Sequence, residues 1–431
     1  MLRQIETSRA IAETIALCRP EVICAYPITP QTHIVEALAV MVKAGDLQPC
    51  EFINVESEFA ALSVAIGASA AGARAYTATA SQGLLFMAEA VYNAAGLGLP
   101  IVMTIGNRAI GAPINIWNDH SDSMSMRDAG WIQLYAETAQ EAADLHILAF
   151  RVAEELSCPV MVCVDGFVLT HSYEQVDLVS QSDVDAYLPA FEPRQVLDPA
   201  EPVSIGAMVG PEAFMEVRYL AHHKQLRALD RIPELSQEFQ ERFGHESEAH
   251  KAFGARCARS SSGLLRTYRT DGAETIVVSL GSINGTIQDV VDDLRNEGTA
   301  IGSVSICCYR PFPLAALREA LEEARRVIVV EKCMAPGMGG ILSTDVRAAL
   351  SGAGAPLFTA IAGLGGRAIT KASLRRLFEK AHAGELEDLT FLDLHTELIE
   401  RHLERETKQR RSGPTAEHLL ADIRVLAGQI G

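Results

Sequence analysis

The stretch Ala25-Tyr26-Pro27-Ile28-Thr29-Pro30-Gln31-Thr32 lies between an apolar run, Val22 to Ala25, and a helix-like run, His33 to Val42. Each proline fixes its own φ and pushes the preceding residue out of the helical region, so the segment stays extended. Between the prolines sits Thr29, whose hydroxyl offers one donor and two acceptor lone pairs. An apolar strand, an extended turn and then a helix make the β-to-α junction of a parallel sheet. Such sheets bind ligands at the carboxyl ends of their strands, and this spacing puts the Thr29 hydroxyl there.

The same alternation runs on either side. Val22 to Tyr26, Glu51 to Val55, Ala75 to Ala80, Pro100 to Ile105 and Pro159 to Asp165 read as strands. Thr7 to Arg19, starting at a Thr/Ser cap, Glu58 to Gly72, Leu84 to Ala95 and Ala139 to Leu156 read as helices. From Val176 to Gly272 the pattern is irregular. It holds a Pro-rich connection, Pro189 to Pro202, and a charged, helix-forming stretch, Tyr219 to Ser262, suited to bracing two domains. A second unit begins near Glu274. Its strands are Thr275 to Leu280, Ile301 to Cys308 and Val327 to Glu331; its helices are Thr286 to Asn296 and Leu314 to Ala324. Pro336-Gly337-Met338-Gly339-Gly340 opens a further helix, and these glycines read as close-packing residues rather than a phosphate loop. At 431 residues the chain calls for two α/β cores, each a parallel sheet with helices on both faces.

The bulk numbers exclude several function classes. A net charge of −18 argues against nucleic acid as a partner. No run of about 20 apolar residues predicts a membrane span, and the first residues do not form a signal peptide. The nine cysteines include no C-x-x-C pair and no cluster-type group of four. Several sit inside apolar runs, which predicts buried reduced thiols in a cytoplasmic protein.

Two further signals fall in register behind Thr29. Glu58 follows a strand and begins an Ala-rich apolar helix; a carboxylate so placed suits proton exchange or complements the helix dipole. Arg108 closes the strand before Ala109-Ile110-Gly111-Ala112-Pro113. Its guanidinium can hold a carboxylate bidentately, or it pairs with a nearby acid. The loop beyond runs Trp117-Asn118-Asp119-His120-Ser121-Asp122. It reads as a polar active-site loop, and no ligand set there or elsewhere predicts a metal.

Together these motifs resemble the α subunit of the 2-oxoacid:ferredoxin oxidoreductase family, the pyruvate type above all. The likeness extends through Thr79-Ala80-Ser81-Gln82-Gly83-Leu84, Asn107-Arg108-Ala109, Val164-Asp165-Gly166-Phe167 and Tyr309-Arg310-Pro311-Phe312. It implies a pyrimidine-binding domain of a thiamine-diphosphate enzyme with a C-terminal extension over residues 1–255. A transketolase C-terminal-like domain over 256–390 and a charged, helical, partner-facing tail over 391–431 follow. It implies that Glu58 meets N1′ of the cofactor's aminopyrimidine, that Tyr26, Pro27, Ser81 and Gln82 help bind the cofactor, and that Thr29 and Arg108 hold the 2-oxoacid.

The chain lacks the Gly-Asp-Gly segment, followed about 25 to 30 residues later by Asn, with which such enzymes bind Mg²⁺ and diphosphate. The resemblance therefore implies one subunit of a hetero-oligomer. A β chain would share the thiamine diphosphate and supply Mg²⁺. [4Fe-4S] clusters would sit in β and δ-type chains, beside a γ chain. CoA would be co-substrate, and ferredoxin or another acceptor would take the electrons. Pyruvate is the default substrate, with phenylglyoxylate and branched 2-oxoacids open. A cluster-free transketolase- or dehydrogenase-like half-enzyme, and a non-catalytic structural subunit, are the alternatives.

Overall fold

The computed structural model describes residues 2–244, 263–352, 354–408 and 415–429. Cys257, the end of the Tyr219–Ser262 stretch and the Ser412-Gly413-Pro414 break lie outside the described residues. Three sheets form among the described residues. The strands, in chain order, are β1 (Leu2–Glu6), β2 (Val22–Ala25), β3 (Glu51–Asn54), β4 (Ala75–Thr79), β5 (Val102–Asn107), β6 (Ile132–Tyr135), β7 (Val160–Asp165) and β8 (Tyr173–Asp177). They continue with β9 (Leu265–Tyr268), β10 (Thr275–Ser279), β11 (Ile301–Ile306), β12 (Cys308–Arg310), β13 (Arg326–Glu331), β14 (Leu357–Ile361) and β15 (Leu389–Phe391).

The larger sheet has the order β12-β6-β7-β5-β4-β2-β3 and is parallel apart from β12. Every residue of β5 and β7 is buried, as expected of central strands covered on both faces. The second sheet, β15-β14-β13-β10-β11-β9, is parallel except for β9. A two-stranded ribbon pairs β1 with β8. The architecture is the two-unit, doubly covered α/β fold expected from the alternation. No helix among the described residues is long and apolar enough to cross a membrane.

Several local expectations are corrected. The run Ile301 to Cys308 is not one strand: it breaks at Cys307, and β12 leaves the second unit to pair antiparallel with β6 of the first. Thr7 and Ser8 do not cap their helix, whose N-cap is Glu6. Their hydroxyls bond instead to the carbonyls of Ser172 and Thr170. The Leu84–Ala95 helix is two helices, Ser81–Phe86 and Ala88–Leu97, interrupted at Met87. The irregular region holds a 30-residue helix, Phe214–Phe243, that packs on Ala139–Leu156. The eight described cysteines are free thiols, seven of them buried.

The Gly-rich segment is a packing device. Glu331, at the end of β13, accepts from the backbone N–H groups of Ile341, Leu342 and Ser343. A Cβ at Gly340 would lie 2.0 Å from its Oε1. The chain's own carboxylate thus fills the anion site at the start of helix Leu342–Ala349.

Two buried polar clusters bind the units. Asp165, at the end of β7, meets His120 Nε2 through Oδ1 (2.5 Å). Through Oδ2 it accepts from Lys332 Nζ (2.7 Å), Ser282 N (3.0 Å) and the Ser282 hydroxyl. Burial opposes this charge, but Lys332 and His120 overcome it and hold the Asp165 carboxyl well below its ordinary range. In the second cluster Glu137 accepts from Arg266 (2.8 Å), Gln288 (3.0 Å) and Ser305 (3.1 Å). Burial, and then the charge of Glu141, push Glu137 up to about 7.

Removing one member of a buried ion pair strands the other charge and costs about 3–5 kcal/mol, whereas replacing both is often nearly neutral. Lys332→Met is expected to lower the unfolding free energy, read from denaturant titration, by that amount, and the Asp165→Leu/Lys332→Met pair to regain most of it. Persistence of the full loss in the pair would refute the account. The pH dependence has two signs. The Asp165 contribution is complete above the ordinary carboxylate range and is lost only as pH falls below it. The Glu137 contribution is complete below its unfolded value and is lost as pH rises through about 7. The Tm should therefore fall between pH 6 and pH 8, and Glu137→Gln should flatten that slope.

Candidate active site

The sheet order places the expected residues side by side. Thr29 follows β2, Glu58 follows β3, Ser81 follows β4, and Arg108 follows β5. All four leave the carboxyl edge of adjacent parallel strands. The chain runs from β2 outward to β3 and then crosses back to β4 on the other side of β2. That reversal opens a crevice at the strand ends, the usual ligand site of an open α/β sheet.

Glu58 opens helix Glu58–Ala70, whose N-cap, Ser57, accepts from Ala60 N at 3.2 Å. The side chain is 8% exposed, and no hydrogen bond or ion pair from the described residues reaches its carboxylate. What aims it is an absence of bulk. A Cβ at Gly83 would lie 2.7 Å from Glu58 Oε1 and 2.6 Å from Thr79 Oγ1. Only glycine lets the carboxylate lie over the start of helix Ser81–Phe86.

Arg108 is buried and donates Nε to the Asn115 carbonyl (3.2 Å) and Nη1 to the Thr29 carbonyl (3.0 Å). It joins no ion pair among the described residues. The pairing with a nearby acid is therefore not what the structure shows, and the guanidinium keeps its charge uncompensated at hydrogen-bond range. Thr29 is exposed beside it. Tyr26 and Pro27 are exposed on the same turn, and Tyr26 gives its carbonyl to Gln31 Nε2 at 3.1 Å.

Ser81 stands in the left-handed region at φ +50°, which costs a residue with a Cβ about 1–2 kcal/mol. Its hydroxyl lies between the Ala109 carbonyl and Gln82 Oε1, so it is spent within the chain. Its backbone N–H goes to Asp122 Oδ2 at 2.9 Å.

Asp122 is the residue that sequence reasoning undervalued. Read as part of a polar loop, it is fully buried and organises the loop ends. Besides Ser81 N it accepts from Arg108 N (3.0 Å), Asn107 Nδ2 (2.8 Å) and Ser123 N (2.7 Å). Burial pushes it up to about 6 against the pull of these four donors, so the carboxylate is ionised near neutral pH. Gly83 was also legible, inside the quoted Ser81-Gln82-Gly83 motif, but its role needs the Glu58 position. Of the loop signal, Asp119 Oδ1 accepts from Ser121 N at 2.8 Å, and Trp117 stacks on Phe167 at 4.6 Å.

Asn at 122 keeps the size and turns one acceptor into a donor facing donors. Asp122→Asn should cost about 1–3 kcal/mol of stability for the unmet N–H groups. In the assembled protein it should impair turnover more than Asp119→Asn, as a comparison of kcat/KM would show.

Comparison with known proteins follows this geometry. Residues 13–237 match the family described as pyruvate flavodoxin/ferredoxin oxidoreductase, thiamine diphosphate-binding. Residues 273–374 match core domain II of pyruvate:ferredoxin oxidoreductase. The pyruvate synthase subunit PorA of Methanosarcina barkeri is 43% identical over 404 residues, covering 92% of this chain and 97% of the relative. The ketoisovalerate oxidoreductase subunit VorA of Pyrococcus abyssi is 38% identical over 373 residues, covering 86% and 91%. Among solved structures, the 2-oxoglutarate:ferredoxin oxidoreductase of Magnetococcus marinus superposes with a TM-score of 0.68 at 17% identity. That match covers 88% of this chain and 65% of the longer one. A split-gene transketolase β4 tetramer superposes at 0.50 with 14% identity, over 88% of this chain and 99% of the other. These two likenesses speak to the fold alone. Sequence kinship over nearly the whole length, on this two-unit fold, shows that the chain belongs to the 2-oxoacid:ferredoxin oxidoreductase family as its α subunit.

Proposed function

We propose that this chain is the catalytic α subunit of a CoA-acylating complex that oxidatively decarboxylates pyruvate: 2-oxoacid + CoA + oxidised ferredoxin → acyl-CoA + CO2 + reduced ferredoxin. The observation that carries the reading is the Glu58 carboxylate, without a partner among the described residues and held over Gly83 at the sheet's crevice. The residues present fit a thiamine pyrimidine. Buried polar atoms are nearly always paired, yet Thr79 Oγ1, which lies with Glu58 Oε1 around Gly83, has no partner among the described residues, as suits a site for a polar ring.

When bound, thiamine diphosphate supplies the nucleophilic carbon and takes up the electrons left as CO2 departs. Glu58 would hold or share a proton at N1′ of the aminopyrimidine through its free carboxylate. Tyr26 and Pro27 would wall the ring, with Gln82 beside them; Ser81, its hydroxyl already used, would contribute backbone and shape. Arg108 would pair with the substrate carboxylate, its orientation fixed by two carbonyls. Thr29 would hydrogen-bond the 2-oxoacid. A single cation at this position suits a monocarboxylate substrate with an uncharged side chain. The higher identity to a PorA than to a VorA subunit favours pyruvate over a branched 2-oxoacid.

The division into 1–255, 256–390 and 391–431 is retained, the last as a partner-facing tail. It carries helices Thr396–Lys408 and Thr415–Gln429, with Leu403 and Leu420 exposed. Diphosphate, Mg²⁺ and a [4Fe-4S] cluster fall to a β-type partner and further clusters to a δ-type one, beside a γ chain.

The test is CoA-dependent viologen reduction by the complex, purified anaerobically through this chain. Pyruvate, 2-oxoglutarate, a branched 2-oxoacid and phenylglyoxylate are assayed in parallel. Pyruvate should give the highest kcat/KM. Glu58→Gln should reduce kcat by about 10²–10⁴, the worth of positioned proton transfer. Gly83→Ala should mimic it in part by displacing that carboxylate. Arg108→Lys should lower kcat/KM for the 2-oxoacid by about 10- to 100-fold, the worth of a charged hydrogen bond. Full activity in Glu58→Gln would leave the chain as a structural subunit.

A further inference from the structure

His33 stands in the first turn of helix Thr32–Ala44, directly after the Pro27–Pro30 turn. Beside it lie Glu6, at the end of β1, and His171, in the turn from β7 to β8. One donor atom from each of the three lies within 4.8 Å of the others. We propose that Glu6, His33 and His171 form a binding site for a divalent transition metal of the Zn²⁺ class.

The geometry is close to what a metal requires. Glu6 Oε1 is 2.7 Å from His33 Nδ1. Donors on legs of about 2.0–2.2 Å stand roughly 3 Å apart around one ion, so a small opening of this contact admits it. The two imidazoles lie 4.6 Å apart between centroids and are tilted by 40°. His171 Nδ1 is 2.8 Å from the Thr170 hydroxyl, which also accepts from Phe167 N at 2.8 Å. In the tautomer that donates Nδ1–H to this hydroxyl, Nε2 is the metal-binding nitrogen, the usual arrangement behind a ligating histidine.

Two of the three ligands are locked in place despite 164 residues of intervening chain. Thr7 N donates to Ser172 O (2.9 Å), and Ser8 N and Oγ donate to Thr170 O (3.0 and 2.7 Å). β1 and β8 are paired residue by residue from Glu6↔Tyr173 to Leu2↔Asp177. His33 is the exposed member of the three, so a change of rotamer can bring it onto the ion. Two imidazoles and one carboxylate suit Zn²⁺ rather than Mg²⁺ or Ca²⁺, with water completing the shell. Sequence reading found no metal here because the three residues are scattered along 166 positions and share no spacing motif.

Such an ion would act structurally. Phe167 stacks on His171 at 4.7 Å and on Trp117 at 4.6 Å, and Trp117 O accepts from Ala109 N at 3.1 Å. The metal would thereby stiffen the N-terminal ribbon, the Thr29 turn and the loop beside Arg108.

The full chain, carrying a histidine-free tag and stripped with a chelator, is titrated with ZnCl₂ by calorimetry, with MgCl₂ as control. One Zn²⁺ per chain is expected, with no response to Mg²⁺. His33→Ala and His171→Asn should each weaken binding by roughly 100-fold, and Thr170→Val by about 10-fold. Saturating Zn²⁺ should raise the Tm of the wild type and not of His33→Ala. Because His33 is exposed, its removal should leave the metal-free Tm unchanged. No binding, or binding that survives in both histidine variants, would overturn the proposal.

Discussion

One buried carboxylate, Asp122, sets the geometry on which the site depends. It gathers four N–H groups from the ends of β4 and β5 and from its own loop. Strand ends are where a sheet's backbone groups lose their ladder partners, and an unmet N–H in a buried place is costly. Asp122 meets that need and in doing so fixes the direction in which the chain leaves each strand. The left-handed Ser81 and the course of the Arg108 loop follow from it. Glu58 is then placed by what Ser81–Phe86 lacks, a side chain at Gly83.

The sequence was most informative where one physical demand dominated. Central strands such as β5, β7, β10 and β13 are mostly apolar along their length, and helices such as Glu58–Ala70 and Ala139–Leu156 that cover them are rich in Ala. The Pro-Ile-Thr-Pro turn, Glu58 and Arg108 could be ordered along the sheet edge because each follows a strand. Reading failed where a residue serves a partner distant in the chain. Thr7 and Ser8 look like caps, and their hydroxyls instead join a turn more than 160 residues away. β6 is four residues with the polar Gln133 in its middle, and β15 is three residues long, so neither carries a strand pattern of its own. Lys332 and Asp165 have no local signature at all; only the fold makes them a pair.

The glycines show how one residue type takes different duties. Gly340 yields space to Glu331, which caps the following helix with a carboxylate of the chain's own. Gly83 yields space to Glu58, which is left unpaired among the described residues. Both segments read alike, as small residues before a helix. The difference is whether a backbone amide is there to receive the acid, and that difference separates a packing element from a site for a ligand.

The crossing of β12 into the first sheet carries a consequence for how the chain is made. β6 stays an open edge until Cys308–Arg310 have been synthesised, long after the rest of its sheet is in place. Open edges invite pairing with other chains, and a partner so far along the sequence is slow to arrive. The edge of the first sheet therefore closes only once part of the second unit's chain has been made.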